Sequence, residues 1–208
     1  MAEPLTNLSC TEFAEVLAAK QSVPGGGGAA ALVGALGAAL CSMVGNFTTG
    51  KKTYAAVEED VQRMLADAET VRLRLIDLVA DDAAAFFPLS QAYAIPKEDP
   101  SRAETLEAAT KAACKAPYEM MVEIAKSIEL LEEMGEKGSK MLVSDVGCGA
   151  LFARAALESA SMNVFVNTKT LKDRVWAEDL EGRCDALLSE YIPRAEACAR
   201  SVMSRIRG

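Results

Sequence analysis

From Gln21 to Gly50 not one residue of this chain is charged, and most of them are Ala, Gly or Leu. A helix built on such a stretch is apolar on every side and needs neighbours all round. Its residues are also small: Gly34, Ala38 and Gly45, with Gly37 and Cys41 alongside, recur at helical spacing and let other backbones come close. The run is long enough to raise the question of a bilayer span. Ala and Gly contribute little transfer energy, and Ser42 and Asn46 dilute it further, so the expectation is a central helix buried in protein and no membrane association. A chain of 208 residues supplies few neighbours for such a helix. Dimerisation through it follows as a further expectation.

The remaining sequence reads as helical throughout. Ser9 and Glu12 form a capping box, with Leu8 and Phe13 placed as its staple, ahead of a short helix to about Lys20. Val23-Pro24-Gly25-Gly26-Gly27-Gly28 reads as a turn, followed by the uncharged helix from Gly28 to about Phe47. A long helix is expected from about Tyr54 to Ala92, bent at Pro88. A loop at Pro96–Pro100 leads to a second capping box, Ser101 with Glu104, and one helix to about Met134 with a bend at Pro117. After a loop at Gly135–Lys140, Ser144 caps a mostly apolar helix to about Asn167, and a final helix covers about Asp173 to Arg207. Strand and hairpin signals are nearly absent. The fold class is therefore all-α: a bundle of about six helices, several long, forming one domain over residues 1–208.

Composition removes whole classes of chemistry. There is no histidine, so Ser-His-Asp and Cys-His mechanisms and His-ligated zinc are excluded. The formal charge of −8 argues against a nucleic-acid partner. The six cysteines are scattered, with no C-x-x-C pair, and read as small hydrophobes, not as metal ligands. Met1 to Thr6 carries no basic segment leading into an apolar run; with reduced thiols, that points to the cytoplasm.

Four places could carry chemistry. In the long helix Val57, Val61, Met64, Ala68, Val71, Leu75 and Leu78 step by three and four, and the next position is Asp82, followed by Phe86 and Leu89. A carboxylate facing a core costs several kcal/mol unless paired or protonated, so its pKa rises and it suits proton transfer near neutrality. A bend toward Pro88 would instead carry Asp82 to solvent. The run Gly25, Gly26, Gly27, Gly28 ahead of a helix lets a ligand reach the backbone, or is a bare loop; it matches no nucleotide-binding pattern. Lys51 and Lys52 beside Tyr54 could receive a carboxylate, or could be solvated. Ser144 and Asp145 read first as helix-capping residues, whereas Asn163 and Asn167, four apart in an apolar stretch, need hydrogen-bonding partners that a heterocycle's edge supplies.

Taken in order, Ser22-Val-Pro-Gly-Gly-Gly-Gly-Ala, Leu32-Val-Gly-Ala-Leu-Gly-Ala-Ala-Leu40, Gly50-Lys51-Lys52, Asp82-Ala-Ala-Ala-Phe86, Pro96-Lys97, Ser144-Asp145 and Asn163-Val-Phe-Val-Asn167 resemble the formiminotetrahydrofolate cyclodeaminase / methenyltetrahydrofolate cyclohydrolase family. The resemblance implies an all-helical homodimer acting on a tetrahydrofolate derivative as substrate, without a prosthetic group or metal. It places Asp82 as the catalytic residue. Asp145, Asn163 and Asn167 are then candidates for the pterin edge, and Lys51, Lys52 and Lys97 for the glutamate tail, whether single or polyglutamate. Where relatives often carry Ser, this chain has Gly28, so a ligand contact made by that hydroxyl would fall to backbone or water. Cyclohydrolase is the expected activity, because no formiminotransferase domain is attached; cyclodeaminase is the alternative. A non-catalytic helical dimer is the rival outside enzymes.

Overall fold

The computed structural model describes residues 4–208, so part of the Met1 to Thr6 segment lies outside the described residues. The described residues form seven α-helices, α1 Cys10–Ala18, α2 Gly26–Asn46, α3 Glu58–Ala94, α4 Arg102–Ala113, α5 Lys115–Lys137, α6 Val143–Thr168 and α7 Arg174–Arg207, with short 3-10 turns at Leu5–Asn7, Lys52–Val57 and Lys140–Leu142. No strand occurs among the described residues.

The uncharged helix is central, as its composition requires. α2 packs against α3, α5 and α6, and α7 closes over α5 and α6. Small residues set these distances. A Cβ on Gly37 would lie 3.2 Å from the carbonyl of Gly149, and one on Gly149 would lie 3.2 Å from the carbonyl of Gly37, so α2 and α6 touch backbone to backbone. The two helices run antiparallel, since Gly26 faces Asn163 at one end and Thr48 receives the amide of Ser139 at 2.8 Å at the other. α2 has the length and composition of a membrane span, but 56% of its most apolar window is buried inside the bundle. The stripe on α3 is as the periodicity predicts: Val61, Met64, Ala68, Val71, Leu75 and Leu78 are all buried. Each large aliphatic side chain among them stabilises the fold by roughly 1.5–3 kcal/mol. Phe86 departs from the stripe and is exposed, while Leu89 joins a separate small cluster with Ala92, Ala109 and Ala113 of α3 and α4.

Helix ends account for most of the differences from the sequence reading. The capping box at Ser9 forms, its hydroxyl accepting from the Glu12 amide at 3.2 Å and its amide donating to the Glu12 carboxylate at 2.8 Å. The expected box at Ser101 and Glu104 does not. Ser101 already has helical backbone angles, and the Asp99 carboxylate takes its amide at 2.8 Å instead. The glycine run is not a turn: Gly25 is the N-cap and Gly26 to Gly28 form the first turn of α2. Tyr54 lies in a 3-10 turn, and α3 begins at Glu58. α5 runs past Gly135 to Lys137, and α6 begins at Val143, so Ser144 sits inside its first turn without capping it.

The single helix expected from Ser101 to Met134 is two, parted at Cys114. Pro117 has no amide for the carbonyl of Ala113, four residues back, so the ladder fails there. That freed carbonyl receives Asn167 Nδ2 at 3.4 Å.

Candidate active site

Asp82 sits on the inner side of α3, half-buried, where α3 crosses the start of α2. The approach is close enough that a Cβ on Gly27 would fall 2.6 Å from both carboxyl oxygens. Glycine is required there because the carboxyl occupies the space a side chain would take. Burial raises the Asp82 pKa above the ordinary 3.8, and the backbone N–H of Gly28, facing the carboxyl from the positive end of α2, opposes the rise without cancelling it. Elsewhere carboxyls with strong partners move the other way: Glu119 is held low by Arg74, and Glu133 by Lys137 and Arg63. The neighbouring Asp81 is exposed and bound to Arg74 at 2.9 Å. Of the adjacent acids, one is in an ion pair and the other is pressed against bare backbone.

That placement has a signature in stability. The folded-state pKa of Asp82 lies above its unfolded value, so between the two the folded chain binds more protons. Its contribution is favourable at acid pH and declines as pH rises from about 3.8 through the raised value. Asp82→Asn is therefore expected to melt at a higher temperature than the parent at neutral pH, with the gap closing in acid; thermal melts of both proteins across pH check this.

Asn163 reaches the same helix start from α6. Both of its amide atoms lie 3.6 Å from the Cβ position of Gly26, and its Nδ2 donates to the Ser159 carbonyl at 2.8 Å. Next to it, a cleft of about 440 Å³ opens between α2 and α6, lined by Gly26, Ala29, Ala30 and Val33 on one side and by Ala155, Ser159, Met162 and Asn163 on the other. Its size is within the range of small-molecule sites, and its wall is apolar with a single amide side chain. Two larger hollows, of about 560 and 630 Å³, lie elsewhere and touch neither Asp82 nor the start of α2.

The candidate residues fall into two groups. Asp82, Gly25, Gly26, Gly27, Gly28 and Asn163 converge at the start of α2, with Asn167 one turn beyond Asn163 and bound to the Ala113 carbonyl. Gly28 has room for a larger residue, its Cβ position being 3.4 Å from Pro24 and 3.6 Å from Val79. Lys97 is exposed in the turn after α3, beyond the end of a helix that runs about 18 Å past Asp82. Lys51 and Lys52, both exposed, follow the far end of α2, about 30 Å along its axis from Gly26. Ser144 and Asp145 share that far end, about 27 Å along α6 from Asn163. Within one chain, then, these five polar residues stand apart from Asp82.

Sequence reasoning missed Ser159 and Met162 as cleft residues. Their spacing from Asn163 and Ala155 puts them on one face of α6, a signal that was present but needed α2 alongside to become a wall. Three of the cysteines are inert buried hydrophobes, burial pushing the Cys41, Cys114 and Cys184 thiols up to about 12, whereas Cys10 and Cys148 are exposed and depart from that reading.

Comparison with known proteins adds independent information. The sequence model described as formiminotransferase-cyclodeaminase matches residues 9–186. The methenyltetrahydrofolate cyclohydrolase of Methylorubrum extorquens is 40% identical over 204 residues, covering 96% of this chain and 98% of that protein. The formimidoyltransferase-cyclodeaminase of Mus musculus is 30% identical over 207 residues, 98% of this chain but 38% of the mouse protein. Among solved structures, the formiminotetrahydrofolate cyclodeaminase of Thermotoga maritima superposes with a TM-score of 0.83 at 32% identity, over 97% of both chains.

Proposed function

The chain belongs to the formiminotransferase-cyclodeaminase family, and from that premise we propose that it is a methenyltetrahydrofolate cyclohydrolase, converting 5,10-methenyltetrahydrofolate to 10-formyltetrahydrofolate. The observation that carries this reading is the half-buried Asp82 carboxyl lodged against Gly27, with a raised pKa and no cationic side chain among the causes of its shift. Near-complete mutual coverage with a relative bearing that name supports it.

The reaction asks for a proton carrier. Water adds to the cationic carbon bridging N5 and N10, losing a proton as the new carbon–oxygen bond forms. The tetrahedral adduct then loses its hydroxyl proton as the carbonyl forms, the N5–carbon bond breaks, and N5 takes a proton. One proton is released overall. A carboxyl whose pKa is raised by burial serves both halves, accepting a proton from water when ionised and donating to N5 the proton it has taken. In its ionised form it also stabilises the cationic substrate. Asn163, with Asn167 one turn beyond, supplies amide donors and acceptors for the pterin edge, the role proposed for Asp145 as well. Lys51, Lys52 and Lys97 are proposed for the glutamate tail. The chain is proposed to work in the cytoplasm as a homodimer, with no prosthetic group, metal, nucleic acid or membrane involved.

Cyclodeaminase is the second reading, favoured by the Thermotoga maritima likeness. There N10 attacks the formimino carbon and ammonia leaves, a step that needs the same carboxyl. Absorbance of the methenyl chromophore separates the two. It disappears when a cyclohydrolase meets 5,10-methenyltetrahydrofolate, and it appears with free ammonia when a cyclodeaminase meets 5-formiminotetrahydrofolate. Failure in both assays overturns the enzyme reading. A folate bound at one hundred times its Kd is further expected to add about 2.7 kcal/mol to stability. No shift in Tm with folate would favour the non-catalytic helical dimer.

A further inference from the structure

An aromatic ring stands uncovered one helical turn past Asp82. Phe86 is 37% exposed, and among the described residues it joins neither the main core nor the small α3–α4 cluster. Four residues on from Asp82, it lies about 6 Å further along the axis and only about 40° round it, so both side chains leave the same side of α3. Phe87, 63% exposed, leaves the helix about 100° round from Phe86.

The register of the bundle puts Phe86 beyond the start of α2. These two helices run antiparallel: the Cβ position of Gly45 meets Leu65, that of Gly34 meets Leu75, and that of Gly27 meets Asp82. α2 therefore begins opposite Asp82, and α3 continues past that beginning to Phe86. α6 does the same from its own side, passing Gly26 at Asn163 and reaching Asn167 a turn later. Two helices thus overrun a third. Between them lies the first turn of α2, whose N-cap Gly25 has no side chain to cap it and nothing within 4 Å of its Cβ position. α3 brings a carboxyl and then a ring to this end of the bundle, and α6 brings amides. A flat heterocycle suits that set, since its edge needs amide donors and acceptors and its face needs another ring. We propose that Phe86 is a substrate-binding residue, its ring the platform for the flat pyrimidine ring of the pterin, while Asn163 meets the edge and Asp82 faces the bridging carbon. This rests on the folate reading above.

Four variants decide it. Phe86→Leu keeps apolar bulk and loses the flat face, so KM for 5,10-methenyltetrahydrofolate rises about fivefold and kcat falls by less. Because Phe86 lies outside both clusters, circular dichroism and Tm stay near those of the parent. Phe86→Tyr restores a ring and returns KM toward the parental value. Phe87→Leu and Phe87→Ala change the neighbouring ring, which faces elsewhere, and leave KM as it was. An unchanged KM in Phe86→Leu overturns the proposal; so does a KM in Phe86→Tyr as high as in Phe86→Leu, or an equal rise in the Phe87 variants. A parent protein active on one of the folates keeps the folate reading whichever way these results fall. A parent inert toward both overturns that reading, and calorimetric titration with folic acid then decides the platform. Weaker binding to Phe86→Leu than to the parent supports it, whereas equal affinity, or no binding to either, overturns it.

Discussion

Asp82→Asn is expected to lower turnover of 5,10-methenyltetrahydrofolate by about 10²–10⁴-fold, the usual contribution of a positioned general acid–base group. The amide keeps the shape of the carboxyl and its hold on the start of α2, but it can neither take a proton from water nor give one to N5. KM should rise too, because the ionised carboxyl also stabilises the cationic substrate, but by less than kcat falls. The variant should also be the more stable protein at neutral pH, since burial disfavours the charge that the substitution removes. Loss of activity together with a gain in stability is a combination that damage to folding does not produce. Steady-state kinetics and melting curves on one preparation check both.

The second large effect concerns a residue with no functional group. Gly27→Ala places a methyl 2.6 Å from both oxygens of Asp82, closer than a non-bonded carbon and oxygen can approach. The helix gains, since Ala is favoured over Gly by about 1 kcal/mol inside a helix. The carboxyl must swing away. A shift of an ångström at a reacting group costs on the order of a hundredfold in rate, so kcat is expected to fall about that far in a folded protein. Gly28→Ser is the control. Its Cβ meets Pro24 at 3.4 Å and Val79 at 3.6 Å, ordinary contacts, and activity should be kept. Equal losses in the two variants would mean that the glycines are needed for backbone freedom and not for the space Asp82 fills.

These two residues also show what the sequence could and could not convey. The stepping of apolar residues from Val61 to Leu78 carried Asp82 to the inner side of α3, because side-chain direction in a helix follows directly from position in the chain. The uncharged run announced a central helix for the same reason. The glycines were legible only as a place of close approach. That the approaching group is Asp82 itself depends on how α3 crosses α2, a tertiary fact with no local signature. Helix ends were misread wherever a distant or rival group took the cap. Asp99 displaced Ser101, and the break at Cys114 lies ahead of Pro117 because the bond a proline lacks is the one to the carbonyl four residues back. Phe86 fell off its predicted stripe because the main core ends before it, and beyond it Leu89 and Ala92 form a separate cluster with Ala109 and Ala113 of α4. The separation of Lys51, Lys52, Ser144 and Asp145 from Asp82 likewise follows from two long helices lying antiparallel, a matter of length that motif spacing does not express.

The central claim is that this carboxyl is shielded enough to hold a proton that an ordinary aspartate would release. Carbon-13 NMR titration of the aspartate side-chain carboxyls, with the Asp82 resonance identified by its absence from Asp82→Asn, measures that directly. The account predicts a midpoint clearly above 3.8, matched by an inflection in kcat/KM over the same pH interval. A midpoint at or below 3.8 would contradict it, leaving Asp82 an ordinary anion at the start of a helix with no proton to give.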